Sequence, residues 1–216
     1  MIPFCISMAL NTESEIYLRK LYENFTIKID SYDCFYHTTL LQGVTDSLEK
    51  LIYYIENSDN ILRKSKTIRN INKWDLYSKG PLSIKQDFYN KEYSVIMLNY
   101  SNSLILNIIS LSLIKDLKEN GYICNLPIST FTKHKGASKD KFNYSINHYK
   151  KIFSFEYCAH TTLGFYKLNK NLSSEIKNKF INIPYNKITH EGIYISTLND
   201  FCMTPYKNRK LLINLK

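Results

Sequence analysis

Cys34-Phe35-Tyr36-His37-Thr38-Thr39-Leu40-Leu41 and Tyr157-Cys158-Ala159-His160-Thr161-Thr162-Leu163-Gly164-Phe165-Tyr166 share one tetrapeptide, His-Thr-Thr-Leu. The chain holds only five histidines in 216 residues, and on its own composition a second copy arises by chance about once in a thousand. Each copy lies in an aromatic, strand-like run. Successive side chains of a strand point to opposite faces, so His37 shares a face with Thr39, and His160 with Thr162. Two strands therefore present two imidazole–hydroxyl pairs.

Imidazole titrates near neutrality, so two histidines facing one cleft can act as a matched general base and general acid. One takes a proton from the attacking oxygen and the other gives one to the leaving oxygen. A threonine hydroxyl two residues on can donate to a non-bridging phosphate oxygen, and one from each side would grip a phosphodiester as its charge grows. No metal is needed for this division of labour. A single His-x-Thr on a strand is usually an ordinary hydrogen-bonded pair; two copies in separate halves of the chain are a different matter. The sequence does not say which histidine is the acid, because the two motifs are interchangeable.

With these motifs the chain resembles the two-histidine (2H) phosphoesterases, the LigT-like group, defined by two His-x-Thr/Ser-hydrophobic motifs on central strands of two pseudo-symmetric lobes. The opening strand Pro3-Phe4-Cys5-Ile6-Ser7-Met8-Ala9-Leu10, the strand Ile193-Tyr194-Ile195-Ser196-Thr197-Leu198 and the closing strand Arg209-Lys210-Leu211-Leu212-Ile213-Asn214-Leu215 fit the same pattern. The resemblance is weak over 57–92 and 122–155. It implies His37 and His160 as the catalytic pair and Thr39 and Thr162 as the phosphate-holding pair. It also implies a menu of substrates: 2′,3′-cyclic phosphate ends, 2′,5′-linked oligoadenylates, cyclic oligonucleotides and RNA ends.

The expected fold is α+β, a single domain over 1–216. Two lobes of antiparallel sheet, roughly 1–92 and 93–216 with strands able to exchange between them, face a central cleft and carry helices outside. Asn11-Thr12-Glu13-Ser14 caps a first helix bearing Ile16, Leu18, Leu21, Tyr22 and Phe25. Thr45-Asp46 caps a second, with Leu48, Leu51, Ile52 and Ile55 inward. Short strands and a turn at Gly80-Pro81 follow. A strand over 93–100 leads to a helix over 103–119, ended by Asn120-Gly121.

The net charge of +10 suits a phosphate-bearing partner without choosing between a dinucleotide and RNA. Five cysteines without a C-x-x-C pair read as reduced, mostly buried thiols of a cytosolic protein. His134, His148 and His190 lack metal-ligand spacing with any of them, so neither a metal nor another cofactor is expected. The apolar run 104–114 is too short to span a bilayer, and no signal peptide is visible. A polar, basic stretch at 129–151 reads as a lid or a surface loop. From it Tyr144 or Tyr149 could stack on a base, as could Phe35 and Tyr166 on the motif strands.

The expectation is a metal-independent, monomeric, cytoplasmic phosphodiesterase acting on a nucleotide or oligonucleotide. A small signalling molecule is favoured: 2′,5′-oligoadenylate or a cyclic oligonucleotide, with a role against host antiviral signalling. The alternatives are an RNA end-processing 2′,3′-cyclic phosphodiesterase and a non-catalytic nucleotide- or RNA-binding module.

Overall fold

The computed structural model describes residues 2–23, 35–64, 74–78, 83–88, 93–100, 104–122, 159–167, 187–197, 207 and 209–215. Eight strands among them form one open antiparallel sheet: β1 (Ile2–Leu10), β2 (His37–Thr45), β3 (Trp74–Tyr77), β4 (Ser83–Phe88), β5 (Tyr93–Asn99), β6 (His160–Lys167), β7 (Lys187–Thr197) and β8 (Arg209–Asn214). The spatial order is β3-β7-β1-β2-β6-β5-β4. The long β7 pairs with β3 through its first residues and with β8 through its later ones. The fold is α+β, as expected. Strands from the end of the chain complete the N-terminal half of the sheet, while β4 joins β5 in the other half.

The helices are α1 (Thr12–Glu23), α2 (Leu48–Asn57), α3 (Ile61–Lys64) and α4 (Leu104–Glu119). Asn11 starts α1 by accepting the Ser14 N–H on its side-chain oxygen at 2.9 Å. The second helix begins one residue later than the sequence suggests: Thr45 closes β2, and Ser47 is the residue that accepts from Lys50 N. Of the apolar residues expected on α1, Ile16 is 49% exposed, whereas Leu18 is fully buried. On α2, Leu51 and Ile55 are buried, with Leu48 and Ile52 packed beside them. The end of α4 follows the expectation closely. Gly121 takes φ +75°, Tyr122 N–H donates to Leu117 O at 2.8 Å and Gly121 N–H to Lys118 O at 3.2 Å, a Schellman arrangement. No helix of the described residues is long and apolar enough to cross a membrane.

Strand alternation divides the sheet cleanly. One face sends Phe4, Ile6, Met8, Leu98, Leu163, Ile193 and Ile195 into a buried core shared with Leu18, Leu51, Ile55 and Leu113 of the helices. The other face carries the histidines. Both motif strands bulge at the same place. Ile6 pairs with Leu41 and Ser7 with Thr39, leaving Leu40 without an opposite residue. Ile96 pairs with Gly164 and Met97 with Thr162, leaving Leu163 likewise. The fourth residue of each tetrapeptide is thus the extra residue of a β-bulge, and both leucines are buried, at 1% and 2% exposure. The repeat in the sequence is a repeat in the backbone.

The turn at Gly80-Pro81, a helix following the second motif, the segment 129–151, Phe25, and Cys34, Cys124, Cys158 and Cys202 lie outside the described residues. Cys5 is buried.

Replacing Gly121 by Ala adds a Cβ that meets nothing within 4 Å, so the cost is conformational alone. The expected loss is about 1 kcal/mol, or a Tm roughly 2–4 °C lower, read by thermal denaturation. An unchanged Tm would show that the left-handed turn does not hold the end of α4.

Candidate active site

The two motif strands are neighbours, and their register meets at Thr38↔Thr161. Because β2 and β6 run antiparallel about that pair, the motifs are related by an approximate two-fold. Each histidine is brought level with the other motif's second threonine. His37, Thr39, His160 and Thr162 are therefore assembled on one face of the sheet around a common centre. On that face Thr39, His160 and Thr162 are half-buried, whereas Thr38 and Thr161, on the core face, are buried completely. Adjacent strands extend the surface. Ala9 and Ser7 of β1 stand opposite His37 and Thr39, and Asn99 and Met97 of β5 stand opposite His160 and Thr162.

The two histidines are not equivalent. His37 is 7% exposed, and its Nδ1 lies 3.1 Å from the carbonyl oxygen of Phe35. A carbonyl can only accept, so Nδ1 carries the proton and the lone pair of the neutral ring is on Nε2. Burial holds the His37 pKa down at about 4; the Phe35 carbonyl opposes this, and the charge of nearby His160 pushes the same way. At neutral pH His37 is thus an unprotonated imidazole of fixed tautomer, which is the state a general base requires. His160 lies half-buried at the first position of β6. Beside His37, the Cys5 thiol is 4.0 Å from Thr39 Oγ1 and directed to donate to it. Accepting there is compatible with Thr39 giving its own proton to an anion.

Phe35 sits beside His37, ring centroids 5.4 Å apart. It is only 1% exposed, and its ring packs 6.2 Å from that of Tyr194. It forms the wall behind the histidine rather than an open stacking surface. Tyr166 pairs with Ser94. The bulge at Leu163 lies between His160 and Tyr166 on this strand. Tyr144 and Tyr149 lie outside the described residues.

Three residues of this face escaped the sequence reading. Asn99 is placed opposite His160 by strand pairing. Tyr194 is placed opposite Ser7. The Arg209 guanidinium lies 5.0 Å from the Phe35 ring centre and 4.9 Å from that of Tyr194, a cation held on two aromatic faces. Nothing in the sequence marks Arg209 among 29 lysines and arginines. Only the pairing of β8 with β7, Arg209 opposite Ser196, brings it to the site.

No family model and no curated protein matches the sequence. Among solved structures, the chain is similar to Usb1 of Kluyveromyces marxianus, with a TM-score of 0.49 and 9% identity over 98% of this chain and 96% of that one. The same protein with uridine monophosphate gives a TM-score of 0.48 and 9% identity, covering 98% and 97%. A crystal structure of a phosphoesterase gives 0.41 and 10%, covering 100% and 96%.

The depressed pKa of His37 has a consequence for stability. Unfolded, the ring binds a proton below about 6.5; folded, only below about 4. Between those values the unfolded state holds more protons, so stability falls as the pH falls, by about 3 kcal/mol in all. Urea unfolding at pH 7 and pH 4 should show this loss in the wild type, and a loss smaller by that amount in His37→Gln. Equal pH dependence in both proteins would mean that His37 is not buried as a neutral ring.

Proposed function

We propose that this protein is a phosphodiesterase that cleaves a nucleotide phosphodiester by acid–base catalysis between His37 and His160. The observation that carries this reading is the pair itself. A buried, neutral His37 with its lone pair on Nε2 shares a face with His160, and a threonine two residues on accompanies each.

In the proposed mechanism the phosphodiester lies over the centre between β2 and β6. Thr39 and Thr162 donate to its two non-bridging oxygens and orient it. His37 Nε2 removes the proton from the attacking oxygen, which is either water or the ribose hydroxyl beside the phosphate. Burial disfavours the resulting imidazolium, but an adjacent phosphate anion favours it. Proton transfer to His37 is therefore easiest with substrate in place. His160 protonates the leaving oxygen as the ester bond breaks, and proton exchange with solvent resets both rings. Each threonine hydrogen bond strengthens as charge builds on the phosphoryl oxygens.

For the substrate we infer a small signalling oligonucleotide, either 2′,5′-linked oligoadenylate or a cyclic oligonucleotide, met in the cytoplasm and destroyed to counter host antiviral signalling. What supports this is the resemblance of both motifs to the LigT-like group. A bias towards Ile, Lys, Asn and Tyr, such as AT-rich viral and phage genomes encode, agrees with it.

The test is turnover, in strong chelator, of 2′,5′-triadenylate, 2′,3′-cyclic AMP, several cyclic dinucleotides and a short RNA. His37→Ala and His160→Ala run alongside the wild type. Loss of about a hundredfold or more in either variant is expected. The acid limb of kcat/KM should lie near pH 4, where free His37 becomes protonated. A limb centred near 6.5 would remove His37 from the role of base, and activity abolished by the chelator would sink the mechanism. Cleavage of the RNA alone, falling steeply with salt, would move the substrate to RNA ends.

A further inference from the structure

Each tetrapeptide contains one polar residue that this proton-transfer chemistry does not use: its first threonine. Thr38 and Thr161 point away from the histidines into the core, and both are 0% exposed. Their hydroxyl oxygens lie 3.2 Å apart. Thr38 Oγ1 is 2.8 Å from His190 Nε2, and the Tyr100 hydroxyl is 2.5 Å from Thr161 Oγ1. Tyr100 and His190 are themselves buried, at 0% and 1% exposure, with their rings edge-on at 6.1 Å. Four polar side chains from β2, β6, β7 and the residue just after β5 thus form a continuous chain within an otherwise apolar layer.

The hydroxyl protons of this chain can all point one way. Tyr100 donates to Thr161, Thr161 to Thr38, and Thr38 to the lone pair on His190 Nε2. Three protons then serve three hydrogen bonds. Burial pushes the Tyr100 hydroxyl up to about 12, so the chain keeps its first donor throughout the neutral range.

Its location is what gives it a role. β1 and β2 are held by eight register pairs, and β5 and β6 by seven. β2 and β6 are joined by one among the described residues, Thr38↔Thr161. That seam separates His37 from His160, and each histidine is the residue immediately before a bridging threonine. Outer strands reach the same point, since His190 pairs with both Leu10 and Trp74 and Tyr100 N–H donates to Ala159 O at 2.9 Å.

We infer that Thr38, Thr161, Tyr100 and His190 are positioning residues, a hydrogen-bonded clamp on the core side of the sheet that fixes the spacing of His37 and His160. As a statement about catalysis this rests on the phosphodiesterase reading above; as a statement about geometry it does not. Base and acid must hold their places on either side of one phosphate, and a displacement of about 1 Å can cost a hundredfold in rate.

The experiment compares Thr38→Val, Thr161→Val, the double variant, Tyr100→Phe and Thr38→Ser. It uses kinetics on whichever nucleotide the wild type cleaves, thermal denaturation, and nitrogen NMR of the His37 and His160 imidazoles without substrate. Each valine substitution should lower kcat roughly 10- to 100-fold with KM changed less than about twofold. The double variant should be no worse than the poorer single one, and Thr38→Ser should recover most of the rate. Across the seam, Thr161→Val should shift the His37 signals and Thr38→Val those of His160. If a valine variant fails to fold, Tyr100→Phe, which deletes one hydroxyl at the end of the chain, decides the matter by the same readouts. Unchanged kcat and unmoved cross-seam signals, with only a lower Tm, would overturn the inference. A wild type that cleaves nothing would refute the phosphodiesterase reading, while the cross-seam shifts would still decide whether the clamp sets the histidines.

Discussion

One contact between two threonine hydroxyls, Thr38 and Thr161, lies where the two halves of the sheet meet. Among the described residues one register pair joins β2 to β6 there, and two histidines from distant parts of the sequence face the same centre. An edge-to-edge junction with few ladder hydrogen bonds is the easiest part of an antiparallel sheet to open or slide. A hydroxyl chain across it, continued by Tyr100 and His190, is directional where apolar packing is not. Hydrogen bonds weaken steeply with angle and distance, whereas dispersion contacts tolerate sliding. The polar groups are kept in the core because every one of them has a partner.

The face opposite the clamp shows how an approximate two-fold can yield two chemically different histidines. The strands, the bulges at Leu40 and Leu163, and the threonines at the third motif position repeat. The surroundings do not. His37 is closed in by Phe35 and bonded through Nδ1 to the Phe35 carbonyl, whereas His160 is half-buried beside Asn99. Burial penalises only the charged form of an imidazole, so unequal desolvation is a physical route to unlike rings from like motifs. Arg209, held over Phe35 and Tyr194, packs against the ring that walls His37.

Much of this was legible in the chain itself. The duplicated His-Thr-Thr-Leu, the alternation that sets His37 with Thr39, and the stop at Asn120-Gly121 are local patterns, and local patterns report on strand face and helix end. The bulges at Leu40 and Leu163 were not legible, because a bulge breaks the strand period through pairing with a neighbouring strand rather than through any fixed residue type. Phe35 packs next to His37, but its burial was not foreseeable, for burial depends on Tyr194 and Arg209 arriving from the far end of the chain. His190, weighed only as a metal ligand, turned out to close the hydroxyl chain.

By itself, then, the sequence determined the chemistry available: two imidazoles, two hydroxyls at strand spacing, and a surplus of positive charge. It also determined the period of most strands and helices, since each follows from neighbours a few residues apart. Only the tertiary structure decided which histidine is buried, what the first threonine of each motif bonds to, and where Arg209 stands. Those outcomes depend on burial and on hydrogen bonds between residues more than a hundred positions apart, such as Thr38 with Thr161 and with His190. Desolvation and long-range pairing are properties of the packed whole, and no stretch of chain carries them alone.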